Sequence, residues 1–112
     1  MKIYHNPRCA KSRAGLKYLE NKTGDFEIVK YLEKGISAKE LGELIALTGK
    51  KPFEFVRTQE QIYKNEYKGK TLSDEEWIKV LAENPKLLQR PIVVNGDKAV
   101  LGNPPENIDS VL

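Results

Sequence analysis

The sequence predicts a small mixed α/β domain: a β-α-β unit opens the chain, helices fill its middle, and a β-β-α unit closes it. Three observations predict this. Short β-rich runs at Lys2–His5 and Phe26–Leu32 flank a helical stretch, an order that favours a parallel strand pair. Two Ser-x-x-Glu capping boxes, Ser37–Glu40 and Ser73–Glu76, each open a stretch with apolar residues at helical spacing. Near the end, Asn95-Gly96 joins two β-rich runs, the strongest short hairpin signal a sequence carries.

The first strand, Lys2-Ile3-Tyr4-His5, is ended by the turn signal Asn6-Pro7. Ala10 to Glu20 is the first helix, with Ala14, Leu16, Tyr18 and Leu19 available for packing, and Thr23-Gly24-Asp25 breaks it. The second strand runs from Phe26 to Leu32. The helix opened by Ser37 packs through Leu41, Leu44 and Ile45 and stops at Thr48-Gly49. Pro52 suits the first turn of a short helix through Val56. Glu60–Glu66 is a further helical candidate. The helix opened by Ser73 buries Trp77, Val80 and Leu81 and ends at Asn84-Pro85. Pro91–Val94 and Lys98–Leu101 are the hairpin strands, and Pro104-Pro105-Glu106 opens a terminal helix after Gly102.

A small mixed sheet with helices on its faces is the simplest assembly of these pieces: a thioredoxin-like fold with a helical insertion, one domain over residues 1–112. In that arrangement a proline before the third strand is the place of a cis peptide beside an active thiol, which makes Pro91 the cis-proline candidate.

Composition excludes several function classes. Hydrophobic residues are 39% and charged residues 31%, and no apolar run is long enough to span a bilayer. The opening residues lack the apolar stretch of a signal peptide, so the expected location is the cytoplasm. A net charge of +3 does not by itself imply nucleic-acid binding. One cysteine cannot form an internal disulfide, and one cysteine with one histidine does not make a metal site. No bound cofactor is expected.

The chemistry concentrates at Cys9. It follows a strand and opens a helix, where unsatisfied N–H groups and the positive end of the helix dipole favour thiolate over thiol. Arg8, Lys11 and Arg13 surround it, and His5, if protonated, adds to them. Ser12 is placed to donate a hydrogen bond to the sulfur. A buried, inert cysteine is the ordinary alternative for a lone thiol, but these polar neighbours are poor company for a core residue. The C-x-x-S form lacks a second cysteine, so a resolving thiol must come from outside. A phosphatase loop, C-x5-R, is excluded because Gly15 stands where its arginine would be.

His5-Asn6-Pro7-Arg8-Cys9-Ala10-Lys11-Ser12-Arg13 resembles the H-N-P-x-C-x-x-S-R segment of the ArsC family, the glutaredoxin-linked arsenate reductases. Arg90-Pro91-Ile92-Val93-Val94 resembles its second signature, R-P-I-V-V, and the resemblance covers the whole chain. It implies that Cys9 is the catalytic thiol, that His5, Ser12 and Arg13 support its thiolate, and that Arg57 and Arg90 bind the oxyanion. It implies arsenate as substrate, glutathione as co-substrate and glutaredoxin as partner. The family's third arginine, before its final proline, is replaced by Asn103, which donates hydrogen bonds but carries no charge. Two other expectations stand beside arsenate reduction. One is a glutathione-linked thiol oxidoreductase acting on another substrate. The other is a non-enzymatic regulator like the related Spx proteins, which bind RNA polymerase; Ser12 takes away the C-x-x-C switch that those proteins commonly carry.

Overall fold

A computed structural model describes residues 1–112. The sheet has four strands in the order β2-β1-β3-β4: β1 is Lys2–Tyr4, β2 Glu27–Val29, β3 Ile92–Asn95 and β4 Lys98–Leu101. β1 pairs with β2 in parallel (Ile3 opposite Ile28) and with β3 antiparallel (Ile3 opposite Val93), and β3 pairs with β4 antiparallel (Val93 opposite Val100). The mixed sheet is the expected thioredoxin-like one.

Strand alternation divides the core between two faces. Ile3 and Val93 pack with Leu19, Ile108 and Val111 beneath the first helix, α1 (Ala10–Lys22), and the terminal 3-10 helix Pro105–Val111. Tyr4 and Ile92 face the larger cluster, which includes Leu41, Phe55, Trp77, Leu81 and Leu87. The helical insertion therefore roofs one face, and α1 covers the other.

The second strand is shorter than the sequence suggests. Its last ladder bond is His5 N–H to the Val29 carbonyl at 2.9 Å. Beyond His5 the turn at Asn6-Pro7 leaves the sheet, so the chain after Val29 has no strand to pair with. Tyr31–Lys34 instead forms a helical turn, α2, closed by the Gly35 N–H on the Tyr31 carbonyl at 2.8 Å. Gly35 sits at φ 81, a conformation that favours glycine.

Both capping serines open helices, α3 (Ala38–Thr48) and α4 (Asp74–Glu83), but only one box is complete. Ser73 and Glu76 bond each other's backbone reciprocally at 2.9 and 3.2 Å. Ser37 accepts from the Glu40 N–H at 3.1 Å, while the Glu40 carboxylate accepts from the Tyr4 hydroxyl at 2.6 Å and ties α3 to β1. The expected short helices are tighter or wider than α: Pro52–Phe55 is 3-10, and Tyr63–Tyr67 is a π-helical turn.

The packing face of α1 also differs. Ser12, Gly15 and Leu19 are buried, Leu16 and Tyr18 only partly, and Ala14 is exposed. Gly15 is buried because α1 crosses close to Pro91. A Cβ there would lie 2.5 Å from Pro91 Cγ and 3.2 Å from the Gly102 carbonyl oxygen. The Arg90–Pro91 peptide is cis, as is Asn103–Pro104. Gly102 N–H donates to the Pro91 carbonyl at 2.7 Å. Arg90, the N-terminus of α1 and the loop after β4 thus meet at one end of the sheet.

Candidate active site

Cys9 is the N-cap of α1, with extended backbone (φ −99, ψ 125) and its carbonyl accepting the Arg13 N–H at 2.9 Å. It is buried, 8% exposed. Burial pushes the thiol pKa up, but the Ser12 and Lys11 N–H groups and the Arg90 guanidinium together outweigh it, and the net shift is downward. The sulfur closes no cap hydrogen bond of ordinary geometry. The N–H groups act on it as the dipoles of an open helix end, and Arg90 acts first by charge and then as a donor. Burial and a lowered thiol pKa therefore coexist at this position.

The Ser12 hydroxyl does not reach toward the sulfur, contrary to expectation. Its oxygen lies 2.8 Å from His5 Nδ1 and accepts the Asn6 N–H at 2.9 Å. It is fully buried and pins the turn before Cys9 to the first strand. The hydroxyl can donate to Nδ1 or accept from it, according to which ring nitrogen carries the His5 proton. Burial lowers the His5 pKa, and the nearby Lys30 charge lowers it further. His5 is thus neutral near pH 7 and supports the loop as a hydrogen-bonded prop, not as a cation.

Arg13 is likewise a loop brace. Its Nη1 donates to the Pro7 carbonyl at 3.0 Å from an exposed position. Arg8 and Lys11 are exposed too, and it is the Lys11 backbone N–H, not its ammonium, that acts on the thiol. The sequence-level picture of a ring of cations around Cys9 reduces to one guanidinium, that of Arg90.

Arg90 is 8% exposed, and its Nε and Nη1 are buried with no hydrogen-bond partner. Leaving charged donors unmet in a buried place is costly, and an anion is the group that would meet them. Arg57 is the second arginine. A bridge between Val56 and Leu88, flanked by Arg57 N–H to the Leu87 carbonyl at 2.7 Å and Gln89 N–H to the Phe55 carbonyl at 2.8 Å, brings the two arginine-bearing segments together. The Arg57 side chain donates to the Lys86 carbonyl at 3.1 Å and pairs with Glu60 at 3.2 Å, while its Nε has no partner. Asn103 lies in the loop after Gly102, partly buried, with its carbonyl accepting from Asn107 Nδ2 at 3.3 Å.

Tyr31 is a further residue near these charges that sequence reasoning did not single out. It is 1% exposed, and the charges of Arg90, Arg57 and Cys9 all act on its hydroxyl. Burial is the main cause that pushes its pKa up to about 12, with the Cys9 charge adding to it and the two arginines opposing. It is therefore a neutral hydrogen-bond donor at any ordinary pH. The signal was in the sequence as a tyrosine just past a parallel strand, at the same end of the sheet as Cys9, but it was absorbed into an overlong β2.

Comparison with known proteins agrees with this geometry. The ArsC family model matches residues 4–111. An arsenate reductase of Haemophilus influenzae is 41% identical over 98% of this chain and 97% of its own length. An uncharacterized Escherichia coli protein, YfgD, is 42% identical over 96% of this chain and 92% of its own. Among solved structures, an arsenate reductase from Vibrio cholerae superposes with a TM-score of 0.92 at 40% identity, covering 100% of this chain and 98% of that one. With the family model matched over residues 4–111 and relatives and solved structures matched along nearly the whole length, the chain belongs to the ArsC family.

Proposed function

We propose that the protein is an arsenate reductase in which Cys9 is the nucleophile and a thiol from outside the chain completes each turnover. The observation that carries this reading is Arg90: a buried guanidinium with unmet Nε and Nη1 donors beside a thiol of lowered pKa. A tetrahedral oxyanion meets both requirements at once, because its oxygens fill the donors while its central atom is presented to the sulfur. The relatives named arsenate reductase support arsenic as that central atom.

The Cys9 thiolate attacks As(V), and one arsenate oxygen leaves as water once protonated. The Tyr31 hydroxyl is a neutral donor suited to that oxygen. Arg90 and Arg57 hold the remaining oxygens and offset their charge. Glutathione then attacks the Cys9–arsenic adduct, and glutaredoxin completes the reduction. Over a turnover two external thiols become one disulfide, As(V) becomes As(III), and arsenite is released. Neither the chain's single cysteine nor its fold supplies a second thiol, so the reducing equivalents come from outside.

The test is a coupled assay containing arsenate, glutathione, glutaredoxin, glutathione reductase and NADPH, with wild type compared against Cys9→Ser. Arsenate-dependent NADPH consumption that vanishes in Cys9→Ser supports the reading. Cys9-dependent reduction of glutathione mixed disulfides with no response to arsenate would point to a thiol oxidoreductase of another substrate.

A further inference from the structure

A cavity of about 490 Å³ opens on the outer side of the turn that leads into Cys9. His5 and Arg8 from that turn, Lys30 and Glu33 from the segment after β2, and Lys86 from the turn after α4 line it. Its size is that of a small-molecule cleft. Three cations face one carboxylate, and none of the four forms an ion pair within the chain. His5 is 4% exposed, and its Nδ1 is engaged by the Ser12 hydroxyl at 2.8 Å. Unpaired charges of mostly one sign are the complement of a small ligand that carries carboxylates. The turn linking the cavity to Cys9 is short and tight, with Cys9 N–H donating to the Asn6 carbonyl at 3.1 Å and Arg8 N–H to Asn6 Oδ1 at 3.0 Å.

We propose that this cavity is the binding site of a small anionic thiol, or of its disulfide, which brings to Cys9 the second sulfur that the chain lacks. The proposal rests on the reading of Cys9 as a nucleophile resolved from outside. Carboxylates of the ligand pair with Lys30, Lys86 and Arg8, and its ammonium, where it has one, pairs with Glu33. The reaction with a disulfide is balanced: the Cys9 thiolate attacks one sulfur, the S–S bond breaks, and the other sulfur leaves as thiolate.

The test needs no arsenate. Mixed-disulfide formation at Cys9 is timed by intact mass with glutathione disulfide and with neutral 2-hydroxyethyl disulfide as probes. Each rate is divided by that of free cysteine with the same disulfide. Wild type is expected to favour the anionic probe by about ten-fold, the scale of two or three exposed ion pairs. The double variant Lys30→Glu/Lys86→Glu is expected to abolish that preference while its rate with the neutral probe stays within about two-fold. Lys17→Glu, on α1 and outside the cavity, is the control for diffuse charge and is expected to keep the preference. A double variant that keeps the preference, or a Lys17→Glu that loses it equally, overturns the cavity as the site. If Cys9 reacts with neither probe faster than free cysteine does, the nucleophile itself is overturned, and the cavity proposal with it.

Discussion

Ser12 Oγ and His5 Nδ1 lie 2.8 Å apart, and the same oxygen accepts the Asn6 N–H at 2.9 Å. Two polar groups around one buried hydroxyl hold the turn on which Cys9 sits. Ser12→Ala removes the hydroxyl and leaves the Asn6 N–H and His5 Nδ1 unmet in a buried place. The expected loss is about 1–3 kcal/mol in urea unfolding, with the Cys9 pKa nearly unchanged, because Ser12 acts on the thiol through its backbone N–H. A large rise in the Cys9 pKa without loss of stability would assign the hydroxyl to the sulfur instead.

His5 gives this loop a pH signature. Its folded-state pKa is lowered by burial and by Lys30, so the unfolded chain binds more protons than the folded one as pH falls through the ordinary histidine range. Stability is full above about pH 6.5 and declines below it. Urea midpoints measured from pH 7.5 to 5 are expected to fall on the acid side, and His5→Asn is expected to flatten that fall.

Arg90 is the one side-chain cation that acts on the thiol. Arg90→Gln removes its charge and is expected to raise the Cys9 pKa. Arsenate turnover is expected to fall further than the pKa change explains, because the oxyanion loses its fork as well. Alkylation rate against pH, beside the coupled assay, separates the two effects.

Tyr31→Phe removes a hydroxyl and leaves the packing of the ring in place. Stability and the Cys9 pKa are expected to change little, while kcat for arsenate falls by about ten-fold or more, the range of a lost proton donor. An unchanged kcat would remove Tyr31 from the chemistry.

Asn103→Arg supplies a cation in the loop beside Pro91. A charged hydrogen bond is worth about 1.5–3 kcal/mol, so the expected result is a KM for arsenate lower by about ten-fold. No change in KM would show that the loop does not face the bound oxyanion.

Much of this was legible in the sequence, for local reasons. Ser73 and Glu76 cap each other across three residues, and Asn95-Gly96 turns a hairpin by its own backbone preference, so both could be read without tertiary knowledge. Cys9 was legible because its position after a strand and before a helix fixes its electrostatics. What escaped depended on long-range partners. Phe26–Leu32 has strand propensity throughout, yet β2 stops at Val29 because β1 turns away, and Tyr31 opens a helical turn where the charges of Arg90, Arg57 and Cys9 act on it. Glu40 looks like half of a capping box, but a tyrosine distant in sequence claims its carboxylate. Arg8, Lys11 and Arg13 crowd Cys9 in sequence, while the charge that acts on it comes from Arg90 across the fold.

The central claim is that this fold makes a buried thiol into a thiolate nucleophile. Because Cys9 is the only cysteine, the pH dependence of its alkylation, or of thiolate absorbance, belongs to it without correction. The Cys9 pKa is expected to lie below that of a free cysteine. An upward move is expected in Arg90→Gln. A wild-type pKa at or above that of the free thiol would contradict the claim.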